Sequence, residues 1–145
     1  MKKQLNLMLL LLGVSFLVLK GCRKEDGLST TIQLTSLASP KPGVETGTFI
    51  ATGGLSTSGT FVMVIESVGS DSIHCTTTNT APEGSFVTIL DCSIITNKGK
   101  WYVDSGSGAY KFLKGKGSLF MLFPPDVPPG VLGTETQTGV VWYHK

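Results

Sequence analysis

Apolar and polar residues follow two different patterns along the 145-residue chain. Residues 7–19 form one continuous apolar run, whereas from residue 46 onward apolar residues occur in short runs separated by Gly, Asn, Asp and Pro. Alternation with a period of two is typical of β-strands with one buried face, and none of these runs has the period of an amphipathic helix. The pattern predicts seven strands, at residues 48–51, 60–68, 72–79, 85–95, 100–104, 117–123 and 139–144.

Short antiparallel strands at such close spacing build either a sandwich or a small barrel. Composition supports an all-β fold, because charged residues make up only 15% of the chain and glycine is abundant, with 18 residues. This profile favours β-structure with many turns over a helical bundle.

The N-terminal apolar run follows the basic residues Lys2 and Lys3. It is too short for a membrane-spanning helix of about 20 residues and is typical of the apolar region of a signal peptide. Removal of residues 1–21 would take away three of the twelve basic residues and none of the ten acidic ones. The mature chain then has a net charge of −1, which gives no indication of nucleic-acid binding.

The apolar run ends in Leu19-Lys20-Gly21-Cys22, which resembles the lipobox of bacterial lipoproteins, although Lys20 stands where a small or apolar residue is usual. The resemblance implies acylation of Cys22, by palmitate among other chains, and a lipid anchor in the outer membrane. Residues 23–26 (RKED) resemble the surface-export signal of some Gram-negative lipoproteins. The alternatives are a plain secretory signal or an uncleaved anchor, with Cys22 incidental.

Residues 22–45 have the composition of a flexible tether, with Ser, Thr and two prolines. Residues 31–35, in its middle, alternate and are also compatible with an edge strand. We therefore predict a signal peptide at 1–21, a lipidated cysteine and tether at 22–45, and one β-domain at 46–145.

Residues 79–84 (NTAPEG) are a turn signal between two predicted strands. A hairpin centred near Glu83 places Cys75 opposite Cys92. These are the only cysteines besides Cys22, and an exported protein meets an oxidising compartment, so a disulfide is our leading interpretation. Two buried free thiols are the alternative. A metal site is weaker, because no CxxC spacing is present.

The glycine-rich segment 106–117 reads G-S-G-A-Y-K-F-L-K-G-K-G and follows an aromatic strand. This pattern resembles the allene oxide cyclase/dirigent-like β-barrel superfamily, particularly its bacterial secreted members, and residues 58–61 and the cysteine-bearing hairpin fit it too. The resemblance covers about residues 48–145 and implies a small antiparallel barrel of about eight short strands. In plants such barrels include a cyclase and proteins that guide radical coupling. No set of their active-site residues can be placed on this chain, so the likeness supports fold rather than chemistry.

Three residues are candidates for the barrel interior or for ligand contact. Glu66 ends an apolar strand and could act on a ligand from inside a barrel, although such a residue is more often a solvated strand end. Trp101 and Tyr110 could line a pocket, although aromatic residues in strands more often pack the core.

His74, Asp91 and Ser93 share the polar face of the predicted hairpin, a combination that invites a hydrolase interpretation. No nucleophile elbow accompanies them, and we expect this face to be exposed, so we predict a surface cluster without hydrolase activity. The proline-rich residues 123–137 are either a lid or partner-binding arm, or an unstructured surface loop.

The sequence thus indicates a lipid-anchored envelope protein that is non-catalytic, requires no cofactor or metal, and binds a small apolar ligand or an envelope partner. The alternatives are an allene oxide cyclase-like isomerase or cyclase that uses Glu66, and a purely structural surface module. A buried carboxylate facing an open cavity would favour the enzyme. An interior filled by Phe61, Met63, Leu90 and Phe120 would favour the structural module.

Overall fold

A computed structural model describes residues 26–144, which form a closed barrel of eight antiparallel strands. The predicted fold class, a small all-β antiparallel barrel, is confirmed. Within the described residues no helix has the length and apolar character of a membrane-spanning segment. The strands are β1 (Leu28–Lys41), β2 (Val44–Gly53), β3 (Thr57–Val68), β4 (Ser72–Ala81), β5 (Gly84–Ser93), β6 (Lys98–Gly106), β7 (Leu113–Leu122) and β8 (Gly133–Tyr143).

Strand β1 lies where the sequence predicted a tether. It alternates buried and more exposed residues and pairs on one side with β2 and on the other with β8, so that Ile32 lies opposite both Ala51 and Gln137. The prediction of a tether through residue 45 was wrong from Leu28 onward, because without β1 the sheet would keep two unpaired edges. The predicted signal peptide at 1–21 and Cys22 lie outside the described residues.

Side chains that alternate inward along every strand fill most of the barrel. Phe61, Met63 and Leu90 are buried, as the structural-module interpretation expected, but Phe120 is 41% exposed on the outer wall. Phe120 points outward because residues 119 and 121 on either side of it occupy the inward positions of β7. The largest fully buried apolar side chains are Trp101, Phe49, Phe61, Phe86, Ile32, Leu34, Leu90, Leu113 and Val141.

The bulk of Trp101 is accommodated by glycines on the neighbouring strands. Trp101 lies opposite Gly117, which in turn lies opposite Gly139, and the indole nitrogen donates a hydrogen bond to the carbonyl of Thr138 at 3.3 Å. A methyl group added at Gly117 would lie 2.0 Å from that same carbonyl oxygen. Large and small residues therefore alternate around the interior, as small barrels require.

One end of the barrel is plugged by side chains, and we call it the closed end. It contains the connections 54–56, 82–83 and 107–112. A short 3₁₀ turn, Gly108–Tyr110, tucks the ring of Tyr110 under this end, where it packs edge-on against Phe86 with ring centroids 5.4 Å apart.

Candidate ligand site at the mouth of the barrel

The opposite end of the barrel, which we call the mouth, holds a cavity of about 50 Å³. Strands β1, β3 and β7 end there, and β2, β4 and β8 begin there, so each contributes an inward-facing residue close to its end. Its apolar walls are Leu34, Met63, Ile65, Ile73, Met121 and Phe123. Its polar lining is Ser36, Glu45, Cys75, Thr134 and Glu135, with Gly133 beside them.

Glu135 is the central polar residue of this cavity. It occupies an inward position of β8, between Gly133 and Gln137, and is only 4% exposed. The amide nitrogen of Gln137 donates a hydrogen bond to Glu135 Oε1 at 2.6 Å, whereas Glu135 Oε2 has no hydrogen-bond partner among the described residues. A buried carboxylate with one unpartnered oxygen is costly for the fold.

The surroundings of Glu135 favour its protonated form. Burial raises the pKa of its carboxyl group to about 7, the hydrogen bond from Gln137 opposes that rise, and the nearby charge of Glu45 adds to it. At neutral pH the group therefore exchanges between the acid and the carboxylate.

Glu45 supplies the second carboxylate of the cavity. It lies at the start of β2, is half-buried, and accepts a 2.7 Å hydrogen bond at Oε2 from the hydroxyl of Ser36 on β1. The hydroxyl fixes one oxygen of Glu45 at the rim of the cavity. The mouth thus presents two carboxylates in a lining that is mostly apolar.

The two cysteines lie near this site as free thiols, so the predicted disulfide is not formed in this structure. The β4–β5 hairpin pairs Cys75 with Leu90 and Cys92 with Ile73, two residues away from the predicted register. The register was wrong because the turn contains only residues 82–83. Cys75 and Cys92 are diagonal neighbours, for which Cα atoms lie about 7 to 8 Å apart, beyond the usual reach of a disulfide.

Neither thiol is poised to act as a nucleophile. Burial raises the pKa of Cys75 to about 12, with a smaller contribution from the charges of Glu135 and Glu45, and burial also raises the pKa of Cys92. Nucleophilic cysteines need the thiolate, which this environment disfavours.

Of the three predicted interior residues, Trp101 and Tyr110 are buried inside the barrel but away from the mouth cavity. The hydroxyl of Tyr110 lies 3.0 Å from Thr57 Oγ1 and 3.1 Å from Glu83 Oε2 at the closed end, and burial raises its pKa.

The interior position proposed for Glu66 was wrong. The side chain of Glu66 is 49% exposed and accepts a 2.8 Å hydrogen bond from the Thr76 hydroxyl on the outer wall. It points outward because its neighbour Ile65 takes the inward position and lines the cavity.

His74 forms a surface cluster with two carboxylates. Its Nδ1 lies 2.6 Å from Asp91 Oδ1, and its Nε2 lies 3.5 Å from Glu66 Oε2. The hydrogen bond to Asp91 is the main cause that raises the pKa of His74. Ser93 is not part of the cluster, because its hydroxyl instead accepts hydrogen bonds from the backbone amides of Ile95 and Thr96. No serine-histidine-aspartate triad is therefore assembled here.

The mouth carboxylates were missed by the sequence reasoning, which placed Glu135 in the proline-rich loop and Glu45 at the end of the tether. The connection between β7 and β8 is shorter than predicted, because β8 already begins at Gly133. The alternation of Gly133, Glu135 and Gln137 with threonines was the available signal for a strand.

Comparisons with protein-family models, with curated proteins and with solved structures found no match to this chain. Within residues 26–144, no group of three or more His, Cys, Asp or Glu side chains is arranged to hold a metal ion.

Proposed function

We propose that the protein is a lipid-anchored protein of the cell envelope whose barrel binds a small, largely apolar ligand at its mouth without transforming it. The observation that carries this proposal is the mouth cavity, where apolar side chains surround the buried, half-satisfied carboxylate of Glu135. Small-molecule sites are typically concave and apolar, with a few polar groups that orient the ligand.

The filled interior supports binding at the mouth rather than deep in the barrel. Phe61, Leu90 and Trp101 are buried in the barrel interior and do not line the mouth cavity. A purely structural module is the alternative that this packing would suit, but it gives no reason for an unpartnered carboxylate beside a cavity.

Filling the cavity tests the binding proposal. We expect Ile73→Trp to abolish retention of small apolar molecules in native mass spectrometry of the purified protein, because Ile73 lines the cavity. Val62→Trp is the matched control, since Val62 is exposed on the outer wall. Equal retention by the two variants would contradict a site at the mouth.

We propose the lipid anchor from the motif Leu19-Lys20-Gly21-Cys22. Residues 23–26 support a location at the outer membrane with exposure at the cell surface. Because more than one acyl chain makes anchoring stable, the wild-type protein should partition into the detergent phase and Cys22→Ala into the aqueous phase. Retention of the variant in the detergent phase would reject the anchor.

An isomerase or cyclase is the second candidate, in line with the resemblance to allene oxide cyclase-like barrels. It is favoured by the buried carboxylate of Glu135 at the cavity, the feature expected of an enzyme, and by its pKa near 7, which suits a general acid-base group at neutral pH. Incubation of a retained ligand in D₂O separates the two candidates. Deuterium incorporated at carbon by the wild type, but not by Glu135→Gln, would establish catalysis and reject the binding-only proposal.

A further inference from the structure

We infer that the ligand of the mouth cavity is a lipophilic amine whose ammonium group is held by Glu135 and Glu45. This inference rests on the proposed binding function and names its ligand class. It starts from a buried oxygen without a hydrogen-bond partner: Glu135 lines the cavity and is 4% exposed, its Oε1 accepts a hydrogen bond from Gln137, and its Oε2 is buried without a partner among the described residues. An occupant that pairs with the carboxylate form of Glu135 must donate a hydrogen bond.

The acidic residues that line the cavity favour a ligand group that donates hydrogen bonds and carries a positive charge. Glu45 and Glu135 are the only charged residues among those that line it, and both are acidic. The hydroxyl of Ser36 occupies Oε2 of Glu45. An ammonium group offers three donors and a positive charge, and charge-assisted hydrogen bonds are about twice as strong as neutral ones. A ligand carboxylate would meet two like charges instead.

The apolar walls of the cavity favour a ligand whose remaining part is apolar. Two methionines, Met63 and Met121, line the cavity together with the branched side chains Ile65 and Ile73. Methionine adapts its shape to irregular apolar groups. The cavity of about 50 Å³ holds the ammonium and the first methylene groups, and the rest of the chain leaves past Phe123 at the rim.

Because Glu135 can be protonated, we expect amine binding to depend on pH in a distinctive way. Binding of an ammonium needs the carboxylate, so binding displaces the proton of Glu135 into the solvent. The other titratable groups that face Glu135 are Glu45 on β2, Cys75 on β4 and Cys92 on β5. The raised pKa values of the two thiols keep them uncharged through this range.

The test is calorimetric titration of the full-length protein in lipid nanodiscs with n-hexylamine, n-hexanol and n-hexanoate. We expect hexylamine to bind most tightly, with an affinity that rises by up to about tenfold per pH unit below pH 7 and levels off above it. A neutral or acidic ligand that binds the protonated form of Glu135 would show the opposite trend. Hexanol or hexanoate as the tightest probe, or an affinity for hexylamine that falls as pH rises, would overturn the inference.

Variants provide a second measurement. We expect Glu135→Gln to weaken hexylamine binding by about tenfold or more and to remove its pH dependence, and Glu45→Gln to weaken it less. Asp91→Asn, on the outer wall, should change neither, and circular dichroism checks that each variant folds.

Failure of the amine inference and failure of the binding proposal give different results. If hexanol binds and Ile73→Trp abolishes that binding, the mouth site stands and the amine inference is wrong. If no probe binds and Ile73→Trp leaves the retained molecules unchanged, both are wrong.

Discussion

At the scale of single residues, Glu135 is a buried ionisable group that works against the stability of the barrel at neutral pH. Glu135 is buried with an unsatisfied oxygen, and its pKa rises from 4.5 to about 7. Most stabilised carboxylates in proteins have lowered pKa values and favour folding at neutral pH. Glu135 does the reverse, because burial favours its protonated form.

Replacement of Glu135 should therefore change how stability depends on pH. The folded state binds the proton of Glu135 more tightly than the unfolded state, so its contribution is most favourable below about pH 4.5 and is lost as pH rises to about 7. The loss is on the order of 3 kcal/mol. Urea denaturation should show Glu135→Gln gaining stability relative to the wild type as pH rises over this interval. Asp104→Asn, exposed on β6, is the control without this trend, and parallel pH profiles for wild type and Glu135→Gln would contradict the burial of a titrating carboxyl group.

At the scale of elements, the sequence predicted the inward and outward faces of the β4–β5 hairpin correctly, but not its register. The predicted β4–β5 register was off by two residues, yet an even shift preserves the faces, so Cys75 and Leu90 are inside and His74 is outside as expected. Register depends on the length of the turn, and the sequence does not reveal whether residue 84 belongs to the turn or to the strand. The mouth site could not be predicted for a related reason, since Glu135 becomes an inward residue only once β8 is known to begin at Gly133.

The glycine-rich connection between β6 and β7 plugs the closed end of the barrel with Tyr110. The contribution of the Tyr110 hydroxyl to the free energy of unfolding should be measurable. Tyr110→Phe keeps the ring packed on Phe86 but removes the contacts with Thr57 and Glu83. We expect a loss of about 1 to 2 kcal/mol in the free energy of unfolding, because a buried hydrogen bond to a carboxylate is lost. Tyr102→Phe, on the exposed outer wall, should change stability by less than about 0.5 kcal/mol. Equal effects of the two substitutions would show that the hydroxyl of Tyr110 does not hold the plug.

At the scale of the whole molecule, closure of the barrel depends on β1, the strand whose composition led us to predict a tether. The serines and threonines of β1 resemble a linker in composition, and only the inward row of Thr30, Ile32, Leu34 and Ser36 reveals a strand. That row forms a strand by pairing with β2, which follows directly, and with β8, which lies at the other end of the described chain. Composition of a short segment does not contain this information.

Because the barrel is closed, its two buried thiols should report on global unfolding. We expect Cys75 and Cys92 to be unreactive towards a thiol reagent in the folded protein and both to react in denaturant without added reductant. A Ser56→Cys variant, with an exposed site in the β2–β3 connection, should react at once and serves as the control. Absence of both thiols after denaturation would instead reveal a disulfide and contradict the register observed here.

The starting point of β1 also sets which way the barrel faces. Leu28 opens β1 at the closed end, six residues after Cys22, and six residues span at most about 20 Å. If Cys22 carries the lipid, the plugged end rests next to the bilayer and the mouth opens towards the aqueous side. A ligand would then enter and leave the mouth through water rather than by lateral passage from the membrane.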